Sequence, residues 1–280
     1  MPESDQRLGE RGEVSVDYQR YSRFLIKRNG RILRVSLNRP EALNAIDGQT
    51  HLELTTIFRD IQEDPETDVV ILTGEGKAFS AGGDVEWLSD LVRRGVSPDM
   101  GHVKQIVYSL LELEKPVIAR IPGVCVGLGA TIALFSDIII ASENARFGDP
   151  HVKVGAVAGD GGAVIWPQLI GFARAKQYLL TGDIMTAQEA ERIGLINKVV
   201  PRDRLDEEVE RTALQLVNGA THAIRWTKLA INTGLRQLAH SIMESCVPNE
   251  MLSMKLDDHL EALSAFREKR TPRFAFRQTS

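Results

Sequence analysis

KPVIARIPGVCVGLGATIALFSDIIIASENARFGDPHVKVGAVAGDGG, residues 115–162, is the stretch on which the fold turns. Val117 to Ile121 is a β-rich run. It meets a turn spaced by Gly123, Gly127 and Gly129, then a small-residue helical run, Ala130 to Phe135, and an apolar strand, Ile138 to Ala141. A loop with His151 follows, and then a second glycine cluster, Gly159-Asp160-Gly161-Gly162. Two glycine turns feeding helices, with an imidazole and a carboxylate nine positions apart, form the pattern of a site rather than of plain core.

Working outward toward the N-terminus, Phe24 to Arg28 and Ile32 to Leu37 flank Asn29-Gly30, a hairpin signal because both turn positions favour φ > 0. Asp47 is placed to cap a helix from about Gln49 to Gln62, with Leu52, Leu54, Ile57, Phe58 and Ile61 on one stripe. Val69 to Leu72 reads as a buried strand, Thr73 to Asp84 as a glycine-rich turn, and Val85–Arg94 and Met100–Leu113 as helices. Toward the C-terminus, Thr186 caps a short helix that Gly194 ends, before a strand into Pro201. Beyond Arg204 strand signals stop, and Leu205–Val217, His222–Leu238 and Asn249–Lys269 are helical by period. The expected division is a flexible tail over 1–19, an α/β core over 20–201 and a helical region over 202–280.

The chain has 280 residues, 43% of them hydrophobic and 26% charged, which is ordinary for a soluble globular protein. A net charge of −4 gives no basic face for nucleic acid, and no apolar run is long enough to span a membrane. The two cysteines, Cys125 and Cys246, suit a reducing, cytoplasmic setting rather than a disulfide framework. The acidic, polar start does not read as a signal peptide. The six histidines show no metal-ligand spacing, so no metal site is expected.

The glycine runs fail the nucleotide patterns. Gly127-Leu128-Gly129 has Ile132 where a dinucleotide fingerprint needs glycine, and Gly74-Glu75-Gly76-Lys77 lacks the P-loop ending. Such turns can instead aim backbone N–H groups at one point. A helix starting near Leu128 has unpaired N–H groups, and the Gly82-Gly83 turn offers a second donor for an oxyanion hole. Tight turns that simply need glycine are the plainer alternative. Likewise His151 after Asp-Pro suits a surface loop, and Asp160 between glycines suits a helix cap.

With LNRPEALNAI (37–46), GKAFSAGGDV (76–85), the 115–134 and 136–150 segments, YLLTGDIMTAQEAERIGLINKVV (178–200) and SAFREKRTPRF (264–274) in this order, the chain resembles the crotonase, or enoyl-CoA hydratase/isomerase, superfamily. The resemblance implies an α/β crotonase-like spiral of ββα units with a C-terminal all-helical oligomerisation region, forming a homotrimer or dimer of trimers. It implies an acyl-CoA substrate, with no cofactor beyond that coenzyme A. The thioester carbonyl would lie between the N–H groups of Gly83 and Leu128. Ala42, Leu43, Ala81 and Gly82 match CoA-binding segments, with Phe266 and Lys269 in the tail. Asp84 stands beside them as a CoA contact or helix cap, and Trp87, Glu112 and Thr131 are expected around the acyl pocket.

The departures bear on chemistry. The two glutamates of a hydratase of this family fall at Thr131 and His151 here. A His–Asp base, His151 with Asp160 fixing its tautomer, is expected in their place. The stretch 147–171 is also similar to 6-oxocamphor hydrolase, a crotonase-fold enzyme that cleaves a carbon–carbon bond in a cyclic 1,3-diketone. The leading expectation is an acyl-CoA hydratase or isomerase working through an oxyanion-hole-stabilised enolate. The alternatives are a 1,3-dicarbonyl C–C hydrolase and a catalytically altered CoA-binding member.

Overall fold

The computed structural model describes residues 16–274. Of the expected N-terminal tail, residues 1–15 lie outside this range. Tyr18–Arg20 form a 3₁₀ turn, and Tyr18 donates to Asp64 at 2.8 Å, so the last positions of that segment are tied to the core rather than loose. Strands β1 (Phe24–Asn29) and β2 (Ile32–Leu37) pair as an antiparallel hairpin. Its two-residue loop is Gly30-Arg31, one position later than expected, and only Gly30 takes a positive φ (+55°).

From β2 onward the large sheet is parallel. β3 (Val69–Gly74), β4 (Val117–Ile121), β6 (Ile138–Ser142) and β9 (Lys198–Val200) follow in the order β1-β2-β3-β4-β6-β9. A smaller sheet joins β5 (Val124–Val126), β7 (Arg146–Gly148) and β8 (Met185–Thr186). Parallel pairing requires crossovers, here made by helices α1 (Gly48–Glu63), α2 (Val85–Arg93), α3 (Met100–Glu112), α4 (Leu128–Leu134), α5 (Gly162–Thr181) and α6 (Ala187–Arg192). Asp47 caps α1 by accepting the Thr50 N–H at 2.7 Å, as its position predicts.

Strand side chains alternate between two apolar layers. Val70, Leu72 and Ala119 face the main core with Ile57, Phe58 and Ile61 of α1 and Ile106 and Leu110 of α3. Val69, Ile71, Ile118 and Ile140 face the other way, against Leu205, Val209 and Ala213 of α7 (Leu205–Val217).

The C-terminal region is continuous where two helices with a gap were expected. α8 runs from Thr221 to Ser253, through Pro248, and α9 spans Asp257–Arg267. Proline removes a helical hydrogen bond, but Ala239, Met243, Cys246 and Val247 bury their side chains on the core and hold the helix through it. Lys228 of α8 fastens the helix to the sheet layer, donating to Asp137 at 2.7 Å and to the Lys115 carbonyl at 2.9 Å. Among the described residues no helix is long and apolar enough to cross a membrane.

Candidate active site

A cavity of about 210 Å³ lies where the Gly82-Gly83 turn, the start of α4, the His151 turn and helices α2, α8 and α9 meet. Its walls are mostly apolar, with Trp87, Leu88, Met251, Met254, Leu263 and Phe266. Its titratable side chains are His51, His151, Asp160, Glu250 and His259.

His151 is set by local chain geometry. β7 ends at Gly148, Asp149-Pro150 turns the chain, and His151–Val154 wind into a 3₁₀ turn closed by Gly155 at φ +66°. The fully buried Asp149 is hydrogen-bonded to the His151 ring at Nδ1. It also accepts a long hydrogen bond, 3.4 Å, from the His151 backbone N–H. On the opposite ring edge, Nε2 is 3.4 Å from Asp160 Oδ2 and 3.8 Å from Glu250 Oε1. Asp160 is held in turn, its Oδ1 accepting from Thr131 Oγ1 at 3.0 Å and from the Gly162 N–H at 3.4 Å.

This placement reverses one expectation. The carboxylate on Nδ1 is Asp149, and Asp160 faces Nε2 beside the cavity. A carboxylate directly before Pro150 reads in sequence as a turn residue, which hid it. Glu250 also escaped the sequence reading. Its signal was positional, since Cys246, Val247, Glu250, Met251 and Met254 share one buried stripe and a lone carboxylate on such a stripe is out of place. His51 and His259 gave no comparable signal.

Electrostatics couple the cluster. Burial works to lower the His151 pKa, but the Asp149 and Asp160 carboxylates outweigh it and lift it well above the ordinary histidine value. Burial raises the Glu250 carboxyl well above the carboxylate range, and the Asp160 charge adds to this. Asp160 is raised for the same first reason, burial, against the pull of His151. Burial pushes His51 down to about 4. His259 is lowered by burial as well, and its Nδ1 donates to the Val154 carbonyl at 2.6 Å, which leaves Nε2 bare and without a partner. Asp149, His151 and Asp160 bring ligand-type atoms within 4.8 Å of one another. The two carboxylates meet opposite edges of one ring, Asp149 at Nδ1 and Asp160 at Nε2.

Gly83 and Leu128 both border the cavity. Turn hydrogen bonds here use the N–H groups of Ile46, Asp84, Val126 and Gly127, and those of Gly83 and Leu128 take no part in them. Leu128 is the first residue of α4, so its N–H has no intrahelical acceptor. Gly127 before it sits at φ 55°, ψ −135°, a conformation that favours glycine.

The remaining expected positions divide. Ala81, Gly82, Trp87 and Phe266 line the cavity. Ala42 and Leu43 lie off it, although the Ala81 N–H bonds the Leu43 carbonyl at 3.0 Å, so the two expected CoA segments touch. Asp84 caps α2 and pairs with Arg39 at 3.0 Å, so its carboxylate is already engaged. Lys269 is exposed and away from the cavity. Two acyl-pocket expectations need correction. Glu112 is exposed at the last turn of α3, outside the cavity, because the register of that helix turns Leu110 and Leu111 inward instead. Thr131 is fully buried behind Asp160 rather than on the cavity wall.

Comparison with known proteins matches this architecture. The Enoyl-CoA hydratase/isomerase family model matches residues 27–277. A crotonyl-CoA hydratase of Syntrophomonas wolfei is 35% identical, covering 91% of this chain and 98% of its own. A solved enoyl-CoA hydratase/isomerase from Mycobacterium paratuberculosis superposes with a TM-score of 0.81 at 32% identity, covering 86% of this chain and 97% of that one. A β-diketone hydrolase from Anabaena sp. PCC 7120, solved with (S)-3-oxocyclohexyl acetic acid bound, superposes with a TM-score of 0.79 at 31% identity, covering 85% and 96%. By sequence and by fold, the chain belongs to the enoyl-CoA hydratase/isomerase family, with the crotonase architecture its sequence resembles.

Proposed function

We propose that the cavity hydrolyses the carbon–carbon bond between the two carbonyls of a 1,3-dicarbonyl compound. One observation carries this reading: a cavity imidazole is bracketed by carboxylates on both edges, Asp149 on Nδ1 and Asp160 with Glu250 on Nε2. Addition of water to an enoyl thioester by the family's route uses two carboxylates, and here Thr131 and His151 stand in their places. A single relay that takes a proton from water and later returns it suits hydrolysis. The β-diketone hydrolase named among the structural neighbours supports the choice.

In this mechanism water lies at His151 Nε2. It gives a proton to the His151–Asp160–Glu250 cluster as its oxygen attacks one carbonyl carbon. The tetrahedral oxyanion collapses, the bond to the central carbon breaks, and its electron pair passes into an enolate. The N–H groups of Gly83 and Leu128 hold the enolate oxygen. The cluster returns the proton to the enolate carbon. One water and one diketone give one carboxylic acid and one ketone. The apolar walls hold the carbon skeleton, and the small volume suits a compact, ring-sized one.

A second reading, hydration of an acyl-CoA thioester, draws on the crotonyl-CoA hydratase relative and uses the same N–H pair for the thioester enolate. In either case the assembly expected is the family's homotrimer or dimer of trimers. The test is turnover of a bicyclic 1,3-diketone and of crotonyl-CoA by the wild type and by His151→Ala and Asp160→Asn. The hydrolase reading expects ring opening with one oxygen taken from solvent, and losses of at least about a hundredfold in His151→Ala. Hydration of crotonyl-CoA with no diketone turnover replaces it by the second reading.

A further inference from the structure

We infer that Asp149 is the positioning residue of this site: it fixes the His151 ring with the proton on Nδ1, so that Nε2 is the nitrogen that exchanges protons with substrate and Asp160 stands on the reacting side. The inference rests on the proposed use of His151 as the proton carrier, whichever of the two reactions that serves. It assigns distinct tasks to two buried aspartates that sequence alone cannot tell apart.

The geometry supports it in three ways. Asp149 is fully buried and contacts both the ring Nδ1 and the backbone N–H of the same residue, so it grips His151 at two points. An ionised carboxylate only accepts, so this contact in its ionised form places the hydrogen on Nδ1. The neighbouring chain leaves room for this side chain and nothing more. A Cβ at Gly162 would stand 2.2 Å from Asp149 Oδ2, so the glycine that opens α5 is what allows Asp149 to occupy its position. Asp160, by contrast, lines the cavity and is itself steadied by Thr131, with Oδ2 toward Nε2.

Four groups face the imidazole among the described residues: Asp149 from its own turn, Asp160 ahead of α5, Glu250 from α8 and His259 from α9. The three carboxylates all favour the protonated ring, and His259 opposes it weakly. Removing Asp149 therefore lowers the pH at which His151 sheds its proton. The same sign holds for removing Asp160. Only the tautomer separates the two roles, because Asp149 is the acceptor on Nδ1.

The experiment reads ring nitrogens directly, by nitrogen-15 NMR of histidine-labelled full-length protein across a pH titration, for wild type, Asp149→Ala, Asp160→Asn and Gly162→Ala. Neutral His151 in the wild type and in Asp160→Asn should carry its proton on Nδ1. Asp149→Ala should populate both tautomers and lower the His151 midpoint by at least about one pH unit, the scale of losing a contacting charge. Gly162→Ala, which keeps the carboxylate but displaces it, should disturb the tautomer in the same direction. In turnover of the active substrate, Asp149→Ala should lose at least about thirtyfold in kcat with KM changed less than about threefold, as expected for a lost orienting contact. A wild-type ring with its proton on Nε2 overturns the assignment. So does a tautomer that changes in Asp160→Asn and not in Asp149→Ala. Neither NMR outcome depends on which reaction the cavity performs, so failure of the proposed chemistry and failure of this assignment are distinguishable.

Discussion

Replacing Lys228 with methionine should cost about 2–4 kcal/mol of stability. Lys228 is 8% exposed, and its ammonium makes two hydrogen bonds, 2.7 Å to Asp137 Oδ2 and 2.9 Å to the Lys115 carbonyl. Hydrogen bonds to charged groups contribute about 1.5–3 kcal/mol each, while burying the ammonium costs several kcal/mol, so the intact pair is nearly balanced. Removing one partner is not balanced, because the other is left desolvated, typically at about 3–5 kcal/mol. Asp137 softens the loss. Its side chain is 24% exposed and keeps the Val117 N–H at 2.7 Å, so water can replace part of what the lysine supplied. Methionine keeps the stem's packing, which leaves the electrostatic part as the quantity measured. The assay is urea unfolding followed by circular dichroism at fixed protomer concentration, with Asp137→Asn and the double variant completing a cycle. The double variant should be destabilised by at least about 1 kcal/mol less than the sum of the singles. A Lys228→Met cost below about 0.5 kcal/mol, or strict additivity, refutes the view that this pair fastens α8 to the sheet.

Thr131→Val removes the O–H that Asp160 accepts at 3.0 Å while keeping the shape, and turnover should fall about tenfold or more with secondary structure unchanged. Glu112→Gln, at an exposed position outside the cavity, should leave kcat and KM within about twofold of wild type, and a larger loss would return Glu112 to the site. Asp64 gives a pH-dependent term. Burial would raise its pKa, but hydrogen bonds from Thr67, Arg28 and Tyr18 prevail and lower it to about 2. A lowered folded-state pKa stabilises the protein above the unfolded value near 4, and that contribution of about 2 kcal/mol is lost as pH falls toward 2. Asp64→Asn should therefore show a shallower fall in urea midpoint between pH 4 and pH 2 than the wild type, and parallel curves would contradict the assignment.

Local chemistry made much of the fold legible. Asp47 and Thr186 announce helix starts because their side chains accept the N–H groups a helix leaves bare, and both do so here. The continuous apolar runs Val69 to Leu72 and Ile138 to Ala141, read as buried strands, lie within Val69–Gly74 and Ile138–Ser142. The misreadings came from tertiary packing overriding local signals. Pro248 looks like a break, yet buried side chains around it carry α8 through. In the site, His151 and Asp160 stood out because glycines and a nearby imidazole surround a carboxylate. Asp149 and Glu250 did not. One resembles an ordinary turn residue although it lies two positions from the ring it meets, and the other sits in a helical run far along the chain that only the fold brings to that ring.

Parallel pairing from β2 to β9 also sets the order in which this molecule can become competent. Each strand must wait for a helix to cross back before it finds its neighbour, so native contacts are distant in sequence and the search for them is slow. His151 and Asp149 share one turn, but Glu250 and the N–H groups of Gly83 and Leu128 reach it from segments that meet only when that search ends. A nascent or half-collapsed chain then has no complete active centre. Recovery of turnover after dilution from denaturant should lag the return of helical signal, and the lag would time the assembly of the site.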